Sequence, residues 1–125
     1  MKIEDNLRYT ENHEWILIEG NTAIVGITDY AQSELGDIVY VDIDTLGQDL
    51  GAGDIFGSVE AVKTVSDLYM PVAGKVLELN EQLESNPDLV NQAPYKEGWI
   101  VKIELCDTSN QKLLSPDDYK KHIGL

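Results

Sequence analysis

Cysteine and histidine are nearly absent from the sequence, which excludes several kinds of site. Cys106 is the single cysteine, and His13 and His122 are the only histidines. One cysteine cannot form an intramolecular disulfide, and no pair among these residues has the spacing typical of zinc ligands. Because Cys106 closes an apolar run that begins at Trp99, we expect its thiol to be buried and structural rather than reactive.

Basic and aromatic residues are also scarce. The chain of 125 residues has 9 Lys and Arg against 23 Asp and Glu, a formal net charge of −14. Such a surface repels phosphate groups and anionic lipids, so neither nucleic acid nor a membrane is an expected partner. The sequence also lacks an apolar run of transmembrane length and a recognisable targeting segment, which predicts a cytoplasmic protein.

Motifs of an independent catalyst are missing as well. The sequence contains no Gly-x-Ser-x-Gly elbow, no glycine-rich phosphate loop and no dinucleotide fingerprint. Acidic residues are abundant, but no pair of carboxylates stands out from the solvated surface. We therefore predict a protein that is not an enzyme and binds no metal.

Alternating apolar residues and turn signals predict a mainly β chain. Asp37–Ile43 should place Ile38, Tyr40 and Asp42 on one face and Val39, Val41 and Ile43 on the other. The predicted strands are Glu14–Glu19, Thr22–Ile27, Asp37–Ile43, Ile55–Val62, Val65–Met70 and Lys75–Leu79.

Capping signals predict two of the helices, and residues 80–89 should contain short helical turns. Thr28 and Gly36 are suited to begin and end a helix over Asp29–Leu35. Ser115 followed by Pro116 predicts a final helix from about Pro116 to His122.

A weak internal repeat suggests how the strands are arranged. Gly36–Val41 can be aligned with Gly74–Leu79, since both follow a turn and then alternate. Two hairpin-rich halves would pack as two small antiparallel sheets around one core, as a flattened barrel or sandwich. The length predicts one domain over residues 1–125, with a core over about 7–106 and a C-terminal helical segment over about 107–125.

Lys63 is the residue that stands out between the strands. Its position predicts a tight turn that contains Lys63 and Thr64 and carries the lysine away from the fold. Its neighbours Ala61, Val62 and Val65 are small or apolar, so the lysine stands alone. Taken by itself, an ordinary solvated lysine explains this pattern more often than a modified one does.

The run from Gly57 to Gly74 resembles the lipoylation segment of glycine cleavage H proteins. The resemblance continues, in the same order, from about Leu7 to Tyr119. The further similar blocks are His13–Trp15, Val25–Gln32, Leu35–Val39, Leu89–Asn91, Pro94–Tyr95 and Gly98–Trp99.

The resemblance implies a role for particular residues. Lys63 would carry covalently attached lipoic acid, and Glu60 and Gly74 would guide the lipoylating enzyme. Glu14 and Asp67 would line a surface cleft where the loaded arm rests. The implied fold is a barrel-sandwich hybrid like that of lipoyl and biotinyl carriers.

The resemblance also implies partners in glycine catabolism and one-carbon metabolism. The carrier would take an aminomethyl group from a pyridoxal-phosphate glycine decarboxylase (P protein) to a folate-dependent aminomethyltransferase (T protein). A dihydrolipoyl dehydrogenase (L protein) would then reoxidise the dithiol. A carrier of this kind is expected to be a monomer.

Three differences from the family and several alternatives accompany this interpretation. Asn12, Tyr30 and Ala61 replace the residues that the family often has; Ala61 is a mild change, whereas Asn12 and Tyr30 leave the lining of the arm cleft open. The alternatives are a lipoylated carrier of the same fold that serves another pathway or relays lipoyl groups, and an unmodified acidic binding module. A biotin carrier would usually have Met beside the lysine, where this chain has Val62 and Thr64. A lipoyl domain of a 2-oxo acid dehydrogenase would normally have a Pro/Ala-rich linker.

Overall fold

Two antiparallel β-sheets form most of the structure, as the sequence predicted. The computed structural model describes residues 2–106 and 113–125, so residues 107–112 of the predicted C-terminal segment lie outside the described residues. The strands are β1 (Arg8–Tyr9), β2 (Glu14–Glu19), β3 (Thr22–Ile27), β4 (Ile38–Asp42), β5 (Asp49–Leu50), β6 (Ile55–Ala61), β7 (Val65–Tyr69), β8 (Gly74–Leu79) and β9 (Val101–Leu105). The helices are α1 (Asp29–Leu35), α2 (Gln82–Ser85), α3 (Leu89–Gln92) and α4 (Pro116–His122).

The two sheets are unequal in size and enclose the main core. One sheet has six strands in the order β1-β2-β3-β9-β8-β5, and the other has three in the order β4-β6-β7. Inward side chains of both sheets are fully buried, among them Val25, Phe56, Val59, Val76 and Ile103. Aliphatic residues thus fill most of the core, and burying them is the main stabilising contribution to the fold.

Both capped helices begin and end where the sequence predicted. The Thr28 hydroxyl accepts a hydrogen bond from the Ala31 N–H at 3.1 Å, and α1 stops at Gly36, whose φ is +82°. Ser115 caps α4 in the same way through the Asp118 N–H at 3.1 Å. These caps satisfy backbone N–H groups that have no partner inside the helix.

The predicted alternation along β4 is wrong because the strand contains a bulge. Ile38 pairs with Ala61 and Tyr40 pairs with Glu60, so Val39 is an extra residue in the ladder. The extra residue puts Ile38 into the core, while Val39 and Tyr40 are about half exposed, at 49% and 50%. Val41 and Ile43 pack against the same core as Ile38, not on the opposite face.

The weak repeat corresponds to a shared structural detail. β8 has a register shift between Val76 and Glu78, which align with Ile38 and Tyr40 of β4. The two strands lie in different sheets. The same irregularity therefore bends one strand of each sheet at the same place in the repeat.

Cys106 is exposed, so the prediction of a buried thiol is wrong. β9 ends at Leu105, and Cys106 lies in the bend that follows, with its N–H donating to the Ala73 carbonyl at 3.1 Å. The apolar alternation of β9 continues in the sequence for one residue beyond the ladder that buries it.

A second hydrophobic cluster covers the other face of the six-stranded sheet. It contains Leu7, Tyr9 and Trp15, and α4 contributes the fully buried Tyr119. The rings of Tyr9 and Tyr119 are stacked with centroids 4.6 Å apart. The C-terminal helix is therefore packed onto the sheet by aromatic side chains. No helix in the described parts of the chain is both long and apolar enough to cross a membrane.

Candidate functional site

Lys63 lies at the tip of the β6–β7 hairpin, and its side chain is exposed. The Ala61 N–H donates to the Thr64 carbonyl at 2.7 Å, so Val62 and Lys63 are the central residues of the turn. The turn was predicted to contain Lys63 and Thr64, one residue later than its observed centre. Val62 and Val65 are 76% and 59% exposed beside the lysine, so the tip presents one cation between two apolar side chains.

The C-terminal end of α1 supports the tip from below. The Val62 N–H donates to the Asp37 carbonyl at 3.2 Å. A Cβ atom placed on Gly36 would lie 3.6 Å from Cε of Lys63, so the lysine stem runs over this glycine. Lys63 takes no part in an ion pair with any residue that the structure describes. Its amino group is therefore held near α1 without being neutralised by a close carboxylate.

Glu60 and Asp67 lie on the outer face of the three-stranded sheet, and both are exposed. By register, Glu60 lies between Tyr40 of β4 and Val65 of β7. Asp67 pairs with Ser58 in the row farther from the tip. The two acids predicted from the resemblance are thus on one surface that begins at the lysine.

Glu14 is buried, with 2% of its surface exposed, rather than being an open wall of a surface cleft. One carboxylate oxygen accepts from the Thr10 hydroxyl at 2.8 Å, and the other accepts from the Tyr69 N–H at 3.1 Å. Burial raises the pKa of Glu14 to about 7, although both hydrogen bonds act to lower it. Glu14 therefore links the two sheets. The N–H group that it binds in β7 belongs to Tyr69, two residues after Asp67.

Gly74 is buried in the six-stranded sheet, between Leu50 of β5 and Leu105 of β9. A Cβ atom at this position would lie 2.5 Å from the Glu104 carbonyl oxygen. The close approach of β9 by itself requires glycine here. The structure thus places Gly74 away from the surface that carries Glu60, Lys63 and Asp67.

Sequence reasoning missed the residues that hold these groups. Thr10 and Tyr69 bind Glu14, and Gly36 was predicted only as the end of a helix. Thr10 has no distinguishing pattern, and the Tyr69 contribution is a backbone N–H. Their roles depend on the approach of β7 to the β1–β2 turn, which local patterns do not encode.

A groove of about 680 Å³ lies elsewhere, between the far end of β4 and α2. Its lining includes Leu46, Leu77 and Trp99 but none of the site residues predicted from the resemblance, which are Glu14, Glu60, Lys63, Asp67 and Gly74. Over residues 2–106 and 113–125, no three His, Cys, Asp or Glu side chains are grouped so that they could hold a metal ion. The chemical interest of the molecule is therefore at the hairpin tip.

Comparisons with known proteins agree with one another. The family model described as glycine cleavage H-protein matches residues 7–124. A glycine cleavage system H protein of Staphylococcus haemolyticus is 54% identical over 125 residues, covering 99% of both chains. The protein of that name from Bacteroides thetaiotaomicron is 56% identical over 121 residues, covering 96% of each.

A solved structure extends the agreement to the fold. The crystal structure of a glycine cleavage system H protein from Mycobacterium marinum superposes with a TM-score of 0.90 at 35% identity. The match covers 98% of this chain and 100% of that one. Sequence and architecture agree over nearly the whole length, and the chain belongs to the glycine cleavage H-protein family.

Proposed function

We propose that the chain is the lipoyl carrier of a glycine cleavage system and that Lys63 anchors the lipoyl arm. The observation that carries the proposal is the exposed lysine at the tip of the β6–β7 hairpin, which forms no ion pair with a described residue, in a chain of this family. A ligase must reach the lysine from outside, and a carried group must reach enzymes that never enter this fold. An exposed tip meets both requirements.

The surroundings of Lys63 fit an attached acyl arm. The stem already rests on Gly36, where the missing side chain leaves room beside the end of α1. Acylation removes the lysine charge, and Lys63 has no ion pair within the described part of the chain to lose. A lipoyl group supplies a dithiolane that carries a one-carbon amine between enzymes.

The acids near β7 give this surface an electrostatic role. The exposed Asp67 carboxylate is available for a charge-assisted hydrogen bond with an amine cargo resting beside β7. Glu14 lies deeper and is half ionised near neutral pH, since its pKa is about 7. It supports the β7 backbone through the Tyr69 N–H and adds negative potential from within.

Glu60 is proposed to guide the lipoylating enzyme. It is exposed and three residues before the lysine, and the chain of net charge −14 favours encounters with basic surfaces. Gly74 is buried, so we propose that it affects lipoylation only through the fold.

The proposed partners are those of the glycine cleavage pathway. They are the glycine decarboxylase, the aminomethyltransferase, the dihydrolipoyl dehydrogenase and a lipoylating enzyme. The carrier provides a high effective concentration of its cargo, and the partners provide catalysis. One carrier domain over residues 1–125, a monomeric state and a cytoplasmic location stay predictions of the sequence.

Intact mass spectrometry after incubation with a lipoate ligase, ATP and lipoate tests the anchor. We expect a mass increase of one lipoyl group, lost in Lys63→Arg and kept in Lys96→Arg, which changes another exposed lysine. A mass increase that survives Lys63→Arg would refute the anchor, and no increase in the parent chain would favour an unmodified binding module.

A matched pair of variants tests recognition by the lipoylating enzyme. Glu60→Gln should slow lipoylation by about tenfold, the effect of losing roughly 1.4 kcal/mol of contact in the enzyme complex. Glu78→Gln, which removes an exposed acid of the other sheet, should leave the rate unchanged. Equal rates for the parent and both variants would remove Glu60 from the proposal.

Reconstitution distinguishes the glycine pathway from another use of the same carrier. Lipoylated chain mixed with the three partner enzymes, glycine and tetrahydrofolate should release CO2 and reduce NAD. Lipoylated chain that supports no glycine-dependent CO2 release would instead point to another lipoyl-dependent pathway.

A further inference from the structure

The two histidines of the chain meet where α4 lies against the β1–β2 turn. Their ring centroids are 5.4 Å apart, although the residues are far apart in sequence. Nε2 of His122 lies 3.0 Å from the Glu11 carbonyl oxygen. A carbonyl oxygen only accepts, so His122 carries a hydrogen on Nε2 and donates it across this contact.

The backbone fixes the position of the His13 ring. Its φ is +67°, the single positive value found for a residue other than glycine in the described chain. The His13 N–H donates to the Thr10 carbonyl at 3.1 Å, and its carbonyl accepts from the Thr28 N–H at 3.0 Å. A left-handed conformation held from both sides is typical of a position with a specific task.

A chain of hydrogen bonds runs from His13 through α4 to the start of α1. Nδ1 of His13 is 2.9 Å from the Tyr119 hydroxyl, which is 2.7 Å from the Thr28 hydroxyl. Thr28 and Tyr119 are both fully buried. The Thr28 oxygen also accepts from the Ala31 N–H as the cap of α1.

Only one direction of these hydrogen bonds gives every hydroxyl hydrogen an acceptor. Thr28 donates to Tyr119, and Tyr119 donates to an unprotonated Nδ1 of His13, so the neutral ring carries its hydrogen on Nε2. If Nδ1 were protonated, Tyr119 would have to donate to Thr28. The buried Thr28 hydrogen would then have no acceptor among the residues of the structure, which is costly.

Some of the groups around His13 raise its pKa and others lower it. His122 and Tyr119 face it from α4, and Tyr30 and Glu34 face it from α1. Burial lowers the pKa of His13 below 6.5, the nearby His122 lowers it further, and Glu34 raises it. The balance favours the neutral ring, in agreement with the hydrogen-bond direction.

His122 has charged neighbours of its own. Glu11, Asp118 and Lys121 surround it at the open side of α4. The residue is exposed, whereas His13 is half-buried. A positive charge on His13 would be partly enclosed by protein. A proton on this residue therefore disturbs the packing of α4 against the β1–β2 turn most.

We propose that His13, Tyr119 and His122 form a pH-sensitive latch that keeps α4 docked while His13 is neutral and loosens it on acidification. A proton on His13 reverses the hydroxyl chain and places a positive charge on a ring whose centroid lies 5.4 Å from that of His122. Docking is complete above pH 6.5, the ordinary value for histidine, and weakens as the pH falls through the lower pKa of the docked state. The latch concerns the packing of α4 and is independent of what Lys63 carries.

Amide hydrogen exchange of the full-length chain, corrected for intrinsic rates, tests the latch. The reporters in α4 are the N–H groups of Tyr119 and Ile123, and the Ile100 N–H reports on the sheet. From about pH 7.5 to about pH 5, the protection of α4 should fall about tenfold for each unit by which docking lowers the pKa of His13. Constant protection of α4, or a fall that the sheet shares equally, would overturn the proposal.

Two variants separate the latch from general acid sensitivity. His13→Asn keeps a residue that tolerates positive φ and cannot be protonated in this range, so the pH dependence of α4 should disappear. His122→Gln keeps a donor for the Glu11 carbonyl but removes the neighbour that lowers the pKa of His13, so the loss should become smaller. An unchanged loss in His13→Asn would refute the latch.

The tautomer of His13 provides a direct check. Nitrogen-15 spectra at about pH 8, where a histidine of ordinary pKa is neutral, should show hydrogen on Nε2. Hydrogen on Nδ1 of neutral His13 would contradict the proposed direction of the chain.

Discussion

The two long hairpins of the structure end in different kinds of turn. The β2–β3 hairpin closes through Gly20 and Asn21, and Gly20 has the positive φ of +65° that such turns favour. The β6–β7 hairpin closes through Val62 and Lys63, where neither residue has a positive φ and Val62 is 76% exposed. Backbone geometry explains the first tip, whereas neither turn chemistry nor burial explains the residues of the second. The proposed function accounts for Val62 and Lys63 through contacts with a lipoylating enzyme outside the chain.

Transferring the lysine to the β2–β3 tip is the strongest test of the difference between the two hairpins. In a Lys63→Arg background, Asn21→Lys places an exposed lysine at the β2–β3 tip, where Asn21 has no positive φ. We expect lipoylation to be lost completely and not to return, because this tip lacks the surface of Glu60 and Val65. Peptide mapping by mass spectrometry checks this. Modification at residue 21 would show that any exposed hairpin lysine is accepted.

Glycine substitutions compare close packing with turn geometry. Gly74→Ala places a methyl group 2.5 Å from a backbone oxygen of β9, so it should lower the free energy of unfolding by about 3 kcal/mol. Gly20→Ala meets open space and strains only the left-handed backbone, for a loss of about 1 kcal/mol. Urea unfolding measures both. Full stability in Gly74→Ala together with lost lipoylation would instead support a direct recognition role.

The pH dependence of stability tests the bridge between the hairpins, because Glu14 of β2 binds the β7 backbone. Its pKa is raised from 4.5 to about 7, so the folded state holds the proton more tightly than the unfolded state does. The associated stability is complete below pH 4.5 and is lost as the pH rises through about 7, by up to about 3 kcal/mol.

The matched variant isolates that contribution. Glu14→Gln should be less stable, since an amide offers one acceptor oxygen to the two donors from Thr10 and Tyr69. Its free energy of unfolding should also vary less between about pH 4.5 and pH 8 than that of the parent chain. Equal pH profiles for the two proteins would contradict the assigned ionisation.

The smallest expected effect concerns the exposed apolar side chains of the two hairpins. Val62→Thr and Ile18→Thr both change exposed positions and should each alter the free energy of unfolding by less than about 0.5 kcal/mol. Val62→Thr should nevertheless slow lipoylation, whereas Ile18→Thr should not. Equal lipoylation rates would show that Val62 makes no contact with the enzyme.

Local signals account for the parts of the fold that the sequence predicted well. α1 and α4 begin and end where expected because Thr28 and Ser115 bond to N–H groups within three residues. The β2–β3 hairpin was equally clear, since its turn glycine and its β-rich flanking residues are both local signals.

Features that depend on distant chain segments were mispredicted or missed. Cys106 is exposed because the ladder of β9 ends one residue earlier, and Val39 is exposed because of a bulge against β6. Glu14 is buried because β7 packs over it, 55 residues along the chain. Alternation predicts which residues share a face, but it does not locate bulges, strand ends or the partner strand.

The hydrogen bond from the Val62 N–H to the Asp37 carbonyl links the hairpin tip to the segment between α1 and β4. If the anchor itself wandered, each partner would have to search a volume set by the motion of the loop as well as by the arm. With the proposed anchor held at the segment between α1 and β4 and its stem resting on Gly36, the volume swept by the proposed arm would be set by the torsions of the arm. The partner enzymes of the proposed carrier would then meet the arm from a defined point of origin.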